Sequence, residues 1–407
     1  MNKSKLFYVT VLGLLLAPLF ADAENVTVSV SNNTGMQRQE LVEVSVDDVY
    51  TRLGIQKGGQ FIVKNALGQQ VVYQVTYDGK LLIDASVRPN GTAEFIITPG
   101  TPKPMKTYVC GRQYPERVDD IAWENDRTAY RVYGPALQRT GEQAFGIDVW
   151  VKNTPDLEVE KRYDTELSNH AKIEELKKAG KTEEAIEMQQ ETTYHFDHGY
   201  GLDCYKVGPT LGCGTPALMD GGEMVMPYCY KTYKILDNGP LRFTVQLEYN
   251  PFTIGNDKNV VEHRIISCDK GSNFNKMTVW YDGLTNERDM VAGVVIHSED
   301  TKSVLYGNDY VLYADPTDNP SKQNFQIYVG VLFPEGVNAT KAMMYDTPSN
   351  GNSGHGVGVI TYKPGMKYTY YFGSAWSKND VRTLNEWKLR AEETLDALRT
   401  PLQVTVK

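Results

Sequence analysis

The chain has 407 residues, of which 41% are hydrophobic and 23% charged, with a formal net charge of −9. This length is compatible with two domains that each bury a hydrophobic core. An acidic balance offers no electrostatic attraction to a phosphate backbone, so nucleic acid is excluded as an expected partner.

The first 23 residues have the pattern of a secretory signal peptide. Lys3 and Lys5 precede a largely apolar run, and Ala21-Asp22-Ala23 is a small-x-small cleavage site. The apolar run is too short for a transmembrane helix with stop-transfer flanks, so we expect no membrane insertion. The protein is expected to be secreted through a cleaved signal peptide, with the periplasm first and the cell surface or extracellular space as alternatives.

Residues 24–103 alternate apolar and polar side chains in short segments separated by turns. Two strand–turn–strand units have their turns at Asn65-Ala66-Leu67-Gly68 and at Asp78-Gly79, and the second is a type I′ hairpin signal. The proline-rich stretch TPGTPKP follows and is typical of a linker. We predict a small immunoglobulin-like β-sandwich domain over 24–103.

Residues 104–407 contain about a dozen further segments of strand length, many with period-two alternation. They indicate large antiparallel sheets packed face to face. A charge-rich insertion at about 156–191 predicts two short helices around Gly180, and an amphipathic helix precedes Pro401.

Four stretches carry a resemblance to known proteins: ERVDDIAWENDRTAYRVYGPAL (116–137), HGYGLDCYKVGPTLGCG (198–214), VVEHRIISCDKG (260–271) and YYFGSAWSK (370–378). In this order they resemble an uncharacterised exported Bacteroidetes family of polysaccharide-utilisation loci, a domain of unknown function. The resemblance implies a setting of glycan breakdown. The large domain is also similar to the galactose-mutarotase-like supersandwich of several polysaccharide lyases and hydrolases. The expected fold class is therefore all-β, with an immunoglobulin-like sandwich followed by an antiparallel β-supersandwich, a helical insertion and a C-terminal helix.

The stretch YHFDHGYGLDCYKVGPTLGCG at 194–214 has the composition of a shaped binding loop. Glycine lets the backbone approach a ligand closely, and histidine and tyrosine can exchange protons. The candidate acid–base residues are His195, His198, Tyr200 and Tyr205. In β-elimination from a uronide, a histidine would take the C5 proton and a tyrosine would protonate the leaving oxygen. Alternatively, the two histidines with Asp197 or Asp203 would hold a divalent cation, or would only shape the loop.

A second candidate site is Trp123-Glu124-Asn125-Asp126-Arg127, together with Arg131. An indole face suits a sugar ring, the two carboxylates can accept sugar hydroxyls, and a guanidinium can grip a carboxylate in a bidentate fork. In a strand, Arg127 and Arg131 would share one face. The competing interpretation is a turn with a salt-bridged edge strand.

Two further candidates lie on predicted strands. Alternation places Glu262 and His263 on opposite faces, so His263 would be catalytic if it pointed into a sheet concavity, and a buried histidine is the alternative. Trp376 and Lys378 end a strand and would suit an acidic sugar, whereas packing against the C-terminal helix would explain the tryptophan equally well.

These residues lead to the hypothesis of an exported carbohydrate-active enzyme that processes a uronate-containing polysaccharide or oligosaccharide, with lyase chemistry ahead of hydrolysis. Hydrolysis requires two carboxylates across the scissile bond. The alternatives are a non-catalytic glycan-binding protein and a mutarotase-like sugar epimerase. The proposed substrate-binding residues are Trp123, Glu124, Asp126, Arg127, Arg131, Asp203, Glu262, Trp376 and Lys378.

Overall fold

The computed structural model of the chain describes residues 25–298, 300–316, 324–349 and 351–407. The signal peptide predicted at 1–23 lies outside these residues. Within them the chain forms mainly antiparallel β-sheets, which confirms the predicted all-β class. Among the same residues, no helix has the length and apolar character that crossing a bilayer would require.

The elements follow the predicted order of a small and a large strand-rich region. The N-terminal elements are β1 (Val26–Ser31), β2 (Arg38–Ser45), α1 (Val46–Leu53), β3 (Phe61–Asn65), β4 (Tyr73–Val75), β5 (Lys80–Val87) and β6 (Thr92–Pro99). The next are β7 (Cys110–Tyr114), β8 (Asp120–Glu124), β9 (Thr128–Val132), α2 (Pro135–Arg139), β10 (Asp148–Lys152), α3 (Val159–Lys178), α4 (Thr182–Thr192) and β11 (Gly201–Asp203). The remaining elements are β12 (Cys213–Asp220), β13 (Glu223–Val225), β14 (Tyr230–Asn238), β15 (Arg242–Tyr249), β16 (Phe252–Ile254), β17 (Asp257–Asp269), β18 (Phe274–Asp282), β19 (Arg288–Ile296), β20 (Val304–Tyr306), β21 (Tyr310–Asp315), β22 (Ile327–Leu332), β23 (Ala339–Ser349), β24 (Asn352–Tyr362), β25 (Tyr368–Trp376), α5 (Leu384–Arg399) and β26 (Gln403–Val406).

The N-terminal region is a small sandwich of two sheets, with the strand orders β26-β1-β6-β3 and β2-β5-β4. Val26, Val28 and Val30 of β1 point into its core, while the residues between them face outward, as period-two alternation requires. The strand β26 comes from the other end of the chain and pairs antiparallel with β1. The last residues, which the sequence analysis assigned to the large domain, therefore complete a sheet of the small one.

The helix α1 lies in a region for which the sequence analysis expected only strands. Ser45 caps it by accepting a hydrogen bond from the Asp48 amide (3.3 Å), and Gly54 ends it in the left-handed conformation (φ 62°). Its buried residues Val49 and Leu53, four apart, lie on one face against the core of the small sandwich. These capping and spacing signals outweigh the strand preference of its valines.

The large domain consists of two layers of antiparallel sheet. One layer is a nine-stranded sheet with the order β14-β15-β17-β18-β25-β22-β21-β20, and β16 pairs with β17. Two five-stranded sheets, β11-β10-β9-β8-β7 and β13-β12-β19-β24-β23, pack on its inner face. One hydrophobic core joins all three sheets, as Trp123, Phe243 and Val294 illustrate. This architecture confirms the predicted large antiparallel sandwich.

Both predicted helical regions are present. The insertion forms α3 and α4 around Gly180, and α3 packs on one five-stranded sheet through Tyr163, whose ring lies 5.0 Å from that of Trp150. The helix α5 packs on the nine-stranded sheet. Its fully buried Trp387 donates a hydrogen bond from Nε1 to the Val329 carbonyl oxygen (3.0 Å).

Candidate functional site

The segment 194–214 links α4 to β12 and is held tightly at both ends. Gly201 has φ 115° and lies so close to β10 that a Cβ atom there would be 2.0 Å from the Val151 carbonyl oxygen. At the other end, a Cβ atom on Gly214 would be 2.1 Å from the Phe372 Cβ. The glycines of this loop therefore allow close packing against strands as well as positive φ angles.

His195 is an exposed histidine with an anchored ring. Its side chain is 55% exposed, and its Nδ1 lies 3.0 Å from the carbonyl oxygen and 3.7 Å from the carboxylate of Asp203. Because a carbonyl oxygen only accepts, Nδ1 carries the proton, and Nε2 of the neutral ring is the acceptor. The ring borders a pocket of about 310 Å³ that Thr193, Phe196 and residues of α4 also line. This arrangement provides an oriented base beside a small pocket.

A buried cluster of charged side chains lies next to His195 and contacts it through Asp203. Arg131 is 4% exposed, and its guanidinium lies 2.5 Å from Asp148, 3.0 Å from Asp203 and 3.7 Å from Asp120. Burial, reinforced by the charge of Asp203, raises the pKa of Asp148 to about 7, and burial also raises the pKa of Asp120. Arg131 and Asp203 were predicted to bind substrate. That prediction was wrong, because both side chains are buried and bonded to each other.

His198 and Tyr200 lie next to each other on the same loop. The Nε2 of His198 is 2.9 Å from the Thr193 carbonyl oxygen, and its ring lies 6.2 Å from that of Tyr200. The half-buried Tyr200 ring also has Lys161 at 4.5 Å and Arg162 at 5.3 Å from its centroid. Each of the two histidines holds a backbone carbonyl oxygen through one ring nitrogen, but of the two it is His195 that lines the pocket of about 310 Å³, so His195 is the better placed base.

Tyr205, the other predicted acid, is a core residue. It is 5% exposed, and its hydroxyl donates a hydrogen bond to the Gly212 carbonyl oxygen (3.1 Å). Burial raises its pKa well above the ordinary value. The prediction was wrong for Tyr205, because its ring packs between the layers and its proton is engaged with the backbone.

The two tryptophans predicted as sugar platforms are also buried. Trp123 stacks with Tyr130 (5.9 Å) and Phe243 (6.1 Å), and its Nε1 donates a hydrogen bond to Asn275 (3.0 Å). Trp376 is 1% exposed and donates from Nε1 to the Asn324 carbonyl oxygen (2.8 Å). Neither indole can stack on a sugar, because both faces are covered and each N–H is satisfied.

Glu124 and Glu262, predicted to accept sugar hydroxyls, form buried ion pairs instead. Glu124 is 1% exposed and pairs with the fully buried Lys152, and its second oxygen accepts a hydrogen bond from the Val159 amide (2.7 Å). Glu262 is fully buried and lies 2.5 Å from Arg264. Both predictions were wrong, because the charges are neutralised inside the protein and not presented to solvent.

His263 lies on the opposite face of β17 from Glu262, as alternation predicts, but it does not meet the 194–214 loop. Its ring stacks on Trp280 (4.9 Å, 6°), and its Nε2 lies 2.9 Å from the Asp282 carboxylate. Its assignment to a common catalytic site with the loop was therefore wrong. His263 lies on the outer face of the nine-stranded sheet, away from that loop.

Two predicted cations remain partly accessible. Lys378 is 34% exposed and forms a salt bridge with Asp197, and Arg127 is 32% exposed and pairs with Asp380. Asp126 accepts a hydrogen bond from the Gly271 amide (2.6 Å). Since Asp197 is two residues from His195, Lys378 is the cation most directly tied to the loop that carries the base.

A buried histidine cluster was missed by the sequence analysis. His297 Nδ1 lies 2.5 Å from the buried Asp315 carboxylate. His355 is fully buried in β24, and its Nε2 accepts a hydrogen bond from the Leu211 amide (3.2 Å). Glycines on both sides of His355 are typical of a loop. The signal for a strand was the alternation that continues from residue 356 through β24.

The described part of the chain contains no group of side chains that could serve as the ligands of a metal ion. Among residues 25–298, 300–316, 324–349 and 351–407, no three His, Cys, Asp or Glu side chains come together in a way that could hold a metal ion. Of the side chains proposed as ligands, Asp197 pairs with Lys378 and Asp203 with Arg131. The divalent-cation interpretation of this loop therefore lacks support.

Comparison with known proteins gives a family and some distant structural likenesses. Residues 30–404 match the family model described as a domain of unknown function (DUF4861). Uncharacterized protein P7 of Formosa agariphila is 25% identical over 424 residues, which cover 99% of this chain and 98% of that protein. An alpha-mannosidase from Enterococcus faecalis V583 is similar in structure with a TM-score of 0.45 at 9% identity, covering 94% of this chain and 46% of that one. A Glycosyl Hydrolase Family 38 protein from Enterococcus faecalis has a TM-score of 0.49 at 9% identity, covering 95% and 48%. This chain thus spans less than half of either solved chain, and TM-scores below 0.5 transfer no activity to it.

Proposed function

Since the chain belongs to the DUF4861 family, a domain of unknown function, we propose its activity from its own residues. The proposed protein is an exported carbohydrate-active enzyme that cleaves a uronate-containing glycan by β-elimination. The observation that carries the proposal is His195. Its ring is anchored through Nδ1 to the Asp203 backbone and is exposed beside a pocket of about 310 Å³.

In the proposed reaction, Nε2 of His195 takes the C5 proton of the uronate. The electron pair of the C5–H bond forms the C4–C5 double bond, and the C4–O4 glycosidic bond breaks. Tyr200 gives a proton to the leaving oxygen, and Lys378 offsets the charge that develops on the C6 carboxylate. Tyr200 lies on the loop that carries His195. Lys378 is held next to this loop by its salt bridge with Asp197.

The carboxylates near the loop favour elimination over hydrolysis. Hydrolysis requires two carboxyl groups that flank the scissile bond, one of them free to act as an acid. Asp197 is occupied by Lys378 and by the amides of Gly199 (2.9 Å) and Gly201 (3.0 Å). Asp203 is buried against Arg131. The exposed imidazole of His195 and the half-buried phenol of Tyr200 are therefore better supported as the reacting groups.

The binding-only alternative loses its main support. It relied on Trp123 and Trp376 as platforms, and both indoles are buried. The mutarotase-like alternative is separated by product analysis, because an epimerase would speed the anomer equilibration of free sugars without breaking a glycosidic bond.

The test is to incubate the protein with polygalacturonate, alginate and glucuronan while following the ultraviolet absorbance of an unsaturated uronate. We expect absorbance to rise for at least one polymer and the rate to fall by about 100-fold or more in His195→Ala, since general-base catalysis contributes about 10²–10⁴-fold. The matched control is His170→Ala, because His170 is an exposed histidine on α3.

Each other outcome contradicts the proposal in a defined way. New reducing ends without absorbance would identify a hydrolase. Faster anomer equilibration of free sugars without cleavage would identify an epimerase. Elimination at an unchanged rate in His195→Ala would place the base on another residue.

A further inference from the structure

A second pocket, of about 300 Å³, lies at the other end of the 194–214 segment. It forms where the loop before β12 meets the hairpin of β23 and β24. Its lining residues are Pro209, Thr210, Tyr345, Thr347, Ser349 and Asn352. Pockets for small molecules range from about 300 to about 1,000 Å³, so this one has the size for a single small ring. Nothing in the proposed elimination at His195 uses it.

The chemistry of the lining points to an uncharged ligand that carries hydroxyl groups. Of the six lining residues, none has a charged side chain and five carry a hydroxyl or an amide, although the Thr210 hydroxyl already donates a hydrogen bond to the Val207 carbonyl oxygen (2.7 Å). Because none of the lining residues is a cation that could pair with a carboxylate, an anionic sugar gains no ion pair here, in contrast to the uronate proposed for the other pocket.

Tyr345 provides an aromatic wall of the pocket and contacts His355. It is 37% exposed, and its hydroxyl lies 3.5 Å from Nδ1 of His355. Because His355 Nε2 accepts from the Leu211 amide, the neutral ring carries its proton on Nδ1 and can donate to Tyr345. A phenol ring offers an apolar face to a sugar and a polar tip at its edge.

Asn352 supplies an unsatisfied amide at the same place. It is 4% exposed, and its Oδ1 has no hydrogen-bond partner among the described residues. A buried polar group without a partner costs about 1–3 kcal/mol. The χ2 torsion of asparagine is broad, so the amide can turn to meet a ligand hydroxyl in the pocket.

From the uncharged lining, the phenol ring beside His355 and the amide oxygen without a partner, we propose that this pocket binds one neutral pyranose residue of a glycan. Tyr345 stacks on the ring, and Asn352 hydrogen bonds to its hydroxyl groups.

The test is to titrate the full-length protein with the methyl pyranosides of glucose, galactose, mannose and xylose, and with methyl glucuronide, using saturation-transfer NMR and calorimetry. We expect saturable binding of at least one neutral glycoside, at least tenfold weaker in Tyr345→Ala and in Asn352→Ala. Methyl glucuronide should displace that glycoside at least tenfold less effectively than an unlabelled neutral glycoside does, because a uronate held at the His195 pocket does not compete for this one.

The controls separate this site from the proposed elimination and from misfolding. Tyr233→Ala removes a comparably exposed tyrosine of β14, and His195→Ala disables the other pocket, so both should keep the affinity within twofold. Thr347→Trp fills the entrance from an exposed position and should abolish binding without affecting the fold. The proposal is overturned if no neutral glycoside binds saturably, if the Tyr345, Asn352 and Thr347 variants bind normally, or if methyl glucuronide displaces the neutral glycoside as effectively as another neutral glycoside does.

Discussion

At the scale of single residues, several ionisable groups lie inside the core. His355 is one of them. Its imidazole is fully buried and accepts a hydrogen bond from the Leu211 amide. Burial, together with the charge of His297, lowers its pKa from 6.5 to about 3. A neutral histidine in the folded state therefore makes stability depend on pH.

The direction of that dependence follows from proton binding. Between pH 6.5 and about 3, the unfolded chain takes up a proton at His355 and the folded protein does not. The free energy of unfolding therefore falls by about 1.4 kcal/mol for each unit by which the pH is lowered. We predict that from pH 7 to pH 5 the wild type loses about 2 kcal/mol more than His355→Gln, as measured by urea unfolding. Equal losses in both proteins would argue against a neutral buried ring. His170→Gln, at an exposed site, serves as the control.

At the scale of elements, the short strand β26 protects one edge of the small sandwich. It pairs with β1 at the edge of the small sandwich, and Thr27 and Lys407 exchange two backbone hydrogen bonds of 2.9 Å. In an antiparallel ladder, successive amides of a strand point to opposite neighbours. The amides of Thr27 and Ser29 therefore face β26, whereas those of Val28 and Val30 face β6.

Removing residues 403–407 should expose one set of amides and spare the other. We predict that the amides of Thr27 and Ser29 exchange with deuterium at least tenfold faster in the truncated protein, because they lose their acceptors. The amides of Val28 and Val30 should change much less, since β6 remains. Residue-resolved hydrogen exchange measures both sets at once. An equal increase at all four positions would mean that the whole sheet had opened.

At the scale of the whole molecule, polar contacts dock the small sandwich on the large domain. Gln74 of β4 is 6% exposed, and its side-chain oxygen accepts from the amides of Leu241 (2.8 Å) and Arg242 (2.7 Å). Its nitrogen donates to the Arg242 carbonyl oxygen (3.0 Å). The Tyr77 amide donates to Asp237 (2.8 Å) in the same interface.

Replacing Gln74 with leucine should loosen this interface. Backbone groups that become buried without a partner cost about 1–3 kcal/mol each, so Gln74→Leu should separate a single calorimetric transition into two. Gln37→Leu, at an exposed position of the small sandwich, should leave one transition. A single transition in Gln74→Leu, unchanged in midpoint, would show that other contacts hold the two domains together.

Alternation, spacing and caps within single segments were enough to predict the all-β class, most strand positions, the two-helix insertion around Gly180 and the amphipathic helix α5. The sequence also indicated the loop that carries His195. The burial of Trp123 and Trp376 in the core and the return of β26 to β1 became evident from the three-dimensional fold. Alternation shows that a side chain faces a core, but the partners that satisfy an indole, a carboxylate or an edge strand come from distant parts of the chain.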